Sequence, residues 1–126
     1  MYKYWIIFTG QYFFPRSLSI INHHYVDKIF EPGEYRKGKL EKSKLNNPYN
    51  YGYLRIKGES LVELLLFAMK IKEQCVDSVD EVVVEVLYYY ENQCNLEFSI
   101  DELKMIAEMG AVLTVSCDTL NIESGE

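Results

Sequence analysis

Long hydrophobic segments are absent from this sequence of 126 residues. The longest unbroken apolar run, residues 64–69, is far shorter than the ~20 apolar residues that a membrane-spanning helix needs. The first ten residues, MYKYWIIFTG, have neither the apolar core nor the small-residue cleavage site of a secretory signal. We therefore expect a cytoplasmic protein.

Cysteine and histidine are scarce, which argues against redox and metal chemistry. The three cysteines, Cys75, Cys94 and Cys117, are an odd number without a C-x-x-C pair, so we expect buried thiols rather than a disulfide framework. His23 and His24 are adjacent, and adjacent side chains point in different directions, so they do not suit one metal ion. Because the glycines form neither a P-loop nor a dinucleotide-binding motif, we expect no cofactor.

What remains is the composition of an ordinary globular domain. Hydrophobic residues make up 48% and charged residues 25% of the chain, which excludes an intrinsically disordered or collagen-like protein. A chain of this length fits one domain and needs neither disulfides nor a metal to bury a core. We expect a single domain over residues 1–120 and a flexible tail over residues 121–126.

Hydrophobic periodicity predicts an α+β fold. Alternating patterns predict strands near residues 2–9, 26–30, 53–57, 81–90 and 111–118. Helices are predicted after Ser60 and Ser99, each followed three residues later by glutamate as in a capping box, and a short helix is predicted from Pro15 to about His24. We expect a mixed, largely antiparallel sheet with two or three helices packed on one face, in a single two-layer domain.

Apolar stripes predict which sides of the elements are buried. The stripe of the first capped helix is Leu61, Leu64, Leu65, Ala68, Ile71 and Cys75. The stripe of the second is Ile100, Leu103, Ile106 and Ala107. Gly110 is well placed to end this second helix. The opening strand has large apolar residues on both faces, which predicts a central position in the sheet.

Charge is divided unevenly along the chain. Residues 1–57 contain ten Lys and Arg against four acids, a net of +6, whereas residues 58–126 contain three against fifteen, a net of −12. The total of −6 therefore hides two opposite parts. Such an asymmetry bears on partners and association rates rather than on the fold.

Acidic residues surround the strand predicted at residues 81–90. They are Asp77, Asp80, Glu81, Glu85, Glu91 and Glu97. This group could be a catalytic carboxylate pair, a solvated face that protects a strand edge, or a surface that docks onto a basic protein. A catalytic pair would need a pocket and a raised pKa, which nothing in the sequence indicates, so we expect no enzyme.

Tyrosine, with eleven copies, is unusually abundant and includes the groups 49–53 and 88–90. Interfaces are enriched in tyrosine because its ring gives a large contact area with a polar tip. Tyr89 shares the half-polar face of its strand with the carboxylates. The candidate partner-binding residues are accordingly Asp77, Asp80, Glu81, Glu85, Tyr89 and Glu91.

Residues 36–52 are predicted to form an exposed polar loop. The basic residues 36, 37, 39, 42 and 44 precede Tyr49 and Tyr51, a combination that could bind nucleic acid through phosphate contacts and stacking. The pI of about 5.0 and the lack of any nucleic-acid-binding motif argue against this interpretation. A regulatory or ligand-binding domain that uses the basic loop 36–44 is our alternative hypothesis.

The segment at 98–117, FSIDELKMIAEMGAVLTVSC, resembles the ending of a family of small bacterial domains of unknown function. The shared features are a capped helix, Gly-Ala and an alternating strand, and the resemblance extends over most of the chain, with Tyr53 where the family has tryptophan. It implies the family's fold and a bacterial cytoplasmic setting. Such domains are often encoded beside polymorphic or contact-dependent toxins. The resemblance therefore implies an immunity protein that binds a cognate toxin, such as a nuclease effector, and occludes its active site.

Overall fold

Five strands and two α-helices make up the regular structure of the described residues. The structure is a computed structural model that describes residues 2–20, 22–35, 47–92 and 96–119. In chain order the elements are β1 (Tyr2–Gly10), a 3-10 turn (Pro15–Ser17), β2 (Val26–Phe30), β3 (Gly52–Gly58), α1 (Leu61–Gln74), β4 (Glu81–Tyr90), α2 (Ile100–Glu108) and β5 (Val112–Thr119). The predicted α+β class is confirmed.

The strands form one sheet in the order β2-β3-β1-β4-β5. Pairing is antiparallel between β2 and β3, between β3 and β1, and between β1 and β4, but parallel between β4 and β5. Parallel neighbours need a crossover connection, and α2 supplies it. The sheet is therefore mixed and largely antiparallel, and β1 has the central position predicted for it.

One face of the sheet supplies the core. Its buried side chains alternate along the three central strands: Ile6, Phe8, Leu54, Ile56, Val82, Val84 and Val86. The helices add Leu61, Leu64, Leu65, Ala68, Ile71 and Ile106 to the same buried cluster. Each large aliphatic side chain contributes about 1.5–3 kcal/mol when it is fully buried, so this cluster is the main stabilising element of the fold.

Serine caps begin both helices, as predicted. The Ser60 hydroxyl accepts a hydrogen bond from the Glu63 amide at 3.4 Å. Ser99 forms the complete capping box: its hydroxyl accepts from the Glu102 amide at 3.1 Å, and its own amide donates to the Glu102 carboxylate at 2.7 Å. After α2, Gly110 takes the left-handed φ of 64° that ends a helix without a Cβ clash.

The predicted burial of the α2 stripe is wrong for most of its members. Ile106 is buried, but Ile100 is 71% exposed, Leu103 is 45% exposed, and Ala107 is also exposed. The main packing partner of α2 is α1, which itself packs on β1 and β3. β5 is an edge strand whose residues are mostly exposed, so it offers α2 little surface to cover.

The helix predicted from Pro15 to about His24 is only the 3-10 turn. Leu18 has extended backbone angles, φ −72° and ψ 139°, which end the turn after Ser17. The buried side chains of Phe13 and Leu18 anchor this segment to the core on both sides of the turn. Packing therefore overrides the local preference for a longer helix.

Parts of the sequence with predicted features lie outside the described residues. These are the basic loop 36–44, the tail 121–126 and Cys94. Within the described ranges, no helix has both the length and the apolar character that crossing a membrane requires.

Gly52 makes the closest backbone approach in the sheet. A Cβ at this position would overlap the backbone carbonyl of Phe13, so the loop after β1 can pack onto β3 only because Gly52 has no side chain. Gly58, at the other end of β3, is a matched comparison. A Cβ there would lie 3.3 Å from Cδ1 of Leu64, a flexible side-chain atom.

We expect Gly52→Ala to lower the free energy of unfolding by more than about 2 kcal/mol, because the Phe13 backbone must move. Gly58→Ala should cost less than about 1 kcal/mol, since the Leu64 side chain can adjust. Urea denaturation of both variants measures the difference. Equal losses would show that the contact between Gly52 and Phe13 does not constrain the fold.

Candidate docking surface

Among the described residues, the sheet face opposite the core supplies no member of the buried cluster, and we call it the open face. Its side chains alternate with the buried ones, and most are half-buried or exposed. On the central strands it consists of Lys3, Trp5, Ile7, Thr9, Tyr53, Arg55, Lys57, Glu81, Val83, Glu85, Leu87 and Tyr89. Large apolar side chains grouped on an uncovered face are typical of interaction surfaces.

The strand register arranges these side chains in rows. Trp5 pairs with Lys57 on β3 and with Glu85 on β4. Ile7, two residues along β1, pairs with Arg55 on β3. Side chains on directly paired residues have Cβ atoms about 4.5–5.5 Å apart, so each row is a continuous surface. A cation and a carboxylate thus flank the single tryptophan of the chain.

Opposite charges occupy opposite sides of the open face. The basic half consists of Lys28, Arg55 and Lys57, on β2 and β3. The acidic half consists of Glu81, Glu85 and Asp118, on β4 and β5. The strand order produces this division, because β2 and β3 lie on one side of β1 and β4 and β5 lie on the other. The charge asymmetry of the sequence is therefore also a separation in space.

An aspartate anchors the basic half. Asp27, in the bulge of β2, accepts a hydrogen bond from Nε of Arg55 at 2.6 Å and lies 3.5 Å from Nζ of Lys57. The Asp27 side chain is only 17% exposed, so this ion pair holds Arg55 more firmly than an exposed pair would. By contrast, neither Glu81 nor Glu85 forms an ion pair within the described residues. The carboxylates of Glu81 and Glu85 can therefore pair with cations of a partner.

Aromatic rings cover the β2 end of the open face. Phe30 is 7% exposed because Tyr49 stacks on it, with ring centroids 3.6 Å apart. Tyr53, on the neighbouring strand, lies 4.9 Å from Phe30, and burial raises the pKa of its hydroxyl. Tyr49 also exchanges backbone hydrogen bonds, since its carbonyl accepts from Gly33 and its amide donates to Glu34. Tyr49 is thus packed against the sheet and is not a free stacking group on a loop.

The structure brings together only half of the six candidate partner-binding residues. Those on the open face, at every fourth position of β4, are Glu81, Glu85 and Tyr89. Those beyond the ends of the strand are Asp77, Asp80 and Glu91. Ten strand residues at ~3.3 Å each put the two ends of β4 about 30 Å apart, so Asp77 and Asp80 lie at the opposite end of the strand from Glu91.

Two of the six make contacts that fix the local structure. The Asp80 carboxylate accepts a hydrogen bond from the Gln11 amide at 2.8 Å, and the Asp80 amide donates to the Thr9 carbonyl at 2.8 Å. Asp80 therefore ties the start of β4 to the end of β1. Nζ of Lys3 lies 5.7 Å from the centre of the Tyr89 ring, within the range of a cation–π contact.

Most residues of the open face are not candidates from the sequence alone, and the most informative of them are Trp5, Ile7, Arg55 and Lys57. The signal for the first two is the apolar character of both faces of β1, but that pattern equally fits a strand covered on both sides. Arg55 and Lys57 alternate with apolar residues of β3. This pattern predicts that their side chains are exposed, but it does not predict which residues lie beside them. Only the pairing of β1 with β3 and β4 brings them beside the acidic half.

Among the described residues, no three His, Cys, Asp or Glu side chains are grouped so that they could hold a metal ion. His23 is instead part of a packed turn. Its Nδ1 accepts a hydrogen bond from the Tyr25 amide at 3.1 Å, and its ring centroid lies 4.4 Å from that of Phe67.

A cleft of about 830 Å³ opens where β3 leaves β1. Trp5 and Lys57 line it, so the cleft adjoins the open face. Its other charged lining residues are Lys3, Glu59 and Glu63. Two cations and two carboxylates give the cleft no net charge that would select an ionic ligand.

Comparison of the chain with protein-family models, curated proteins and solved structures found no significant match. The resemblance of residues 98–117 to a bacterial family therefore remains an expectation.

The two described cysteines differ in state. Cys75 is buried, its thiol donates a hydrogen bond to the Ile71 carbonyl at 3.0 Å, and burial raises its pKa, with Lys72 acting in the opposite direction. Cys117 lies exposed on β5 and takes part in a disulfide. The predicted buried thiol is confirmed at Cys75. At Cys117 the expected burial and the expected free thiol are both wrong, because an edge strand with mostly exposed residues leaves its side chains accessible to a second cysteine.

We expect the Cys75 thiol to resist iodoacetamide in the native protein at neutral pH. Burial blocks the reagent, and the raised pKa keeps the reactive thiolate scarce. Peptide mass spectrometry should detect fast labelling of Cys75 in denaturant, and labelling of Cys117 only after reduction. Equal labelling rates at Cys75 in native and denatured protein would contradict the burial of this thiol.

Proposed function

We propose that this protein is a non-enzymatic immunity protein that binds a basic bacterial toxin through the open face and occludes the toxin's active site. The observation that carries the proposal is the acidic half, where Glu85 lies beside Trp5 and Glu81 lies beside Thr9, and where neither carboxylate has an ion-pair partner in the described residues. We infer a two-layer arrangement in which the helices occupy one face of the sheet. The other face is then available to a partner.

The apolar and the acidic side chains of this surface have different roles in binding. Trp5, Ile7 and Leu87 supply apolar area at the centre of the face, where desolvated anchors contribute most of the affinity. Glu81 and Glu85 attract a basic partner before contact, and complementary fields raise association rates by ~10–10³. The mechanism needs no bond-breaking step, because covering a catalytic site is sufficient to inhibit it.

The class of partner follows from charge and from the resemblance. A nuclease has a basic surface where it binds the phosphate backbone, so it fits an acidic docking surface. The family resemblance supports a toxin of this kind in the bacterial cytoplasm.

The resemblance implies the bacterial cytoplasm, whereas the disulfide at Cys117 is typical of an oxidising compartment. Trapping free thiols in intact cells, before lysis, distinguishes the two settings. A reduced Cys117 supports the cytoplasm.

A second candidate function is a regulatory or ligand-binding domain that contacts nucleic acid through the basic loop 36–44. This loop lies outside the described residues, but it connects β2 to β3, the two strands that carry the basic half. A gel-shift assay at two salt concentrations tests it, because phosphate contacts give a steep loss of affinity with salt. The absence of any shift at low salt would remove this candidate.

We expect Glu81→Lys combined with Glu85→Lys to lower the association rate with a basic toxin by at least about tenfold at low salt. Both residues lie on the open face. Glu91 lies beyond the end of β4, so Glu85→Lys combined with Glu91→Lys should slow association less. The matched control is Glu73→Lys with Glu108→Lys, which makes the same charge change on exposed helix positions. Surface plasmon resonance measures the rates, and equal slowing by both double variants would mean that only net charge matters.

The toxin itself is tested by co-expression with the gene encoded beside this one. We expect a stable complex and rescue of growth. If neither is observed, the immunity function is wrong, whatever the properties of the isolated surface.

A further inference from the structure

The open face is complementary to itself. We propose that it docks against the open face of a second copy of this chain, in a symmetric dimer where the basic half of each copy contacts the acidic half of the other. The charges select this occupant, because Lys57 and Glu85 lie at equal distances on opposite sides of Trp5 in one row. Each copy therefore presents a lysine where the second copy presents a glutamate, as a closed two-fold interface requires.

A two-fold axis parallel to the strands and close to β1 produces the arrangement. Rotation by 180° about this axis turns the open face of the second sheet toward the first and exchanges its β2 edge with its β5 edge. As a result, β3 of one copy faces β4 of the other. An in-plane axis perpendicular to the strands would instead place β3 on β3 and β4 on β4. Like charges would then be in contact, which is unfavourable, so the charge pattern selects the first orientation.

The register then specifies the contacts. Since Lys57, Trp5 and Glu85 share a row, the axis along β1 sets Lys57 of each copy opposite Glu85 of the other, and this pair occurs twice in the dimer. Facing sheets pack about 10 Å apart, a distance that a lysine and a glutamate can span from opposite sides. Nζ of Lys57 lies 3.5 Å from the Asp27 carboxylate within its own chain, and its side chain is 62% exposed, so the contact with Glu85 of the second copy forms when Lys57 turns outward from Asp27.

The centre of the face suits such a contact, but its area is small. Trp5 and Ile7 lie near the axis, and Val83 and Leu87 flank them, so the interface has an apolar centre and a charged rim. Five strands at ~4.8 Å and seven residues at ~3.3 Å give roughly 500–600 Å² of flat area per copy. A standard interface buries about 800 Å² per partner, so we expect a weak dimer that depends on concentration.

Dimerisation would also control access of a toxin to the open face. This consequence is the only part of the proposal that rests on the proposed function. A second copy covers Glu85 and Trp5, so dimerisation and toxin binding exclude each other. The free protein would then keep its apolar face covered until a toxin with a stronger basic surface displaces the second copy.

The test is a charge exchange in the free protein without any partner. Sedimentation velocity is measured from low micromolar to near-millimolar concentration for the wild type, Lys57→Glu, Glu85→Lys and the double variant. Each single variant places like charges opposite each other twice and should raise the dimer Kd by at least about tenfold. The double variant restores both pairs and should return the Kd to near the wild-type value.

A control variant and a fluorescence measurement accompany the sedimentation data. Glu108→Lys, on the exposed side of α2, is the control and should leave the Kd unchanged. Fluorescence of Trp5, the single tryptophan, should shift to shorter wavelength as the dimer forms. A protein that stays monomeric at every concentration overturns the proposal. A dimer whose Kd in the double variant is not restored, but shows the summed effects of the two single variants, also overturns it, because that dimer uses another surface.

Failure here is distinguishable from failure of the proposed function. A monomer that still forms a complex with its toxin removes the dimer alone. A dimer restored by the charge exchange, without toxin rescue, leaves the self-docking face and removes the immunity function.

Discussion

The pairing of β1 with β3 on one side and β4 on the other is the constraint on which the rest of the structure depends. One set of alternate residues of β1, including Ile6 and Phe8, is buried in the core with both helices. The other set, including Trp5 and Ile7, lies at the centre of the open face. Because side chains alternate strictly along a strand, a shift of one residue in either register would exchange these two sets. The core and the candidate docking surface are therefore specified by the same hydrogen-bond ladders.

Topology converts a property of the sequence into a property of the surface. Basic residues are concentrated before residue 58 and acidic residues after it. A strand order that alternated early and late strands would have interleaved these charges and neutralised them locally. The observed order keeps β2 and β3 together and β4 and β5 together, so most of the basic and most of the acidic side chains of the open face stay on opposite sides of β1. β1 separates the halves and contributes apolar residues where the charges meet.

Local patterns predicted what depends on a single element. The stripe of α1 and the half-polar face of β4 with Glu81 and Glu85 follow from periodicity within one segment, and both are as expected. The exposure of Leu103 on α2 depends on how much sheet lies beneath the helix, and the neighbours of Trp5 depend on which strands pair with β1. Strand order and register are long-range properties, and no window of the sequence contains them. This is why half of the candidate site, including Lys57, emerged only from the fold.

The two associations of the open face differ in their electrostatics, although they use the same carboxylates. Attraction to a basic toxin acts at long range between a chain of net charge −6 and a partner of opposite sign, and salt screens it over a Debye length of about 8 Å. Two copies of this chain repel each other at long range, and the attraction between their charges, from Lys57 to Glu85, acts only at close contact. Added salt therefore weakens encounter with a toxin, but it also removes the long-range barrier to self-docking. An acidic protein with a face divided by charge can thus bind a basic partner quickly and still bind its own copy weakly, because distance decides which part of its charge the partner experiences.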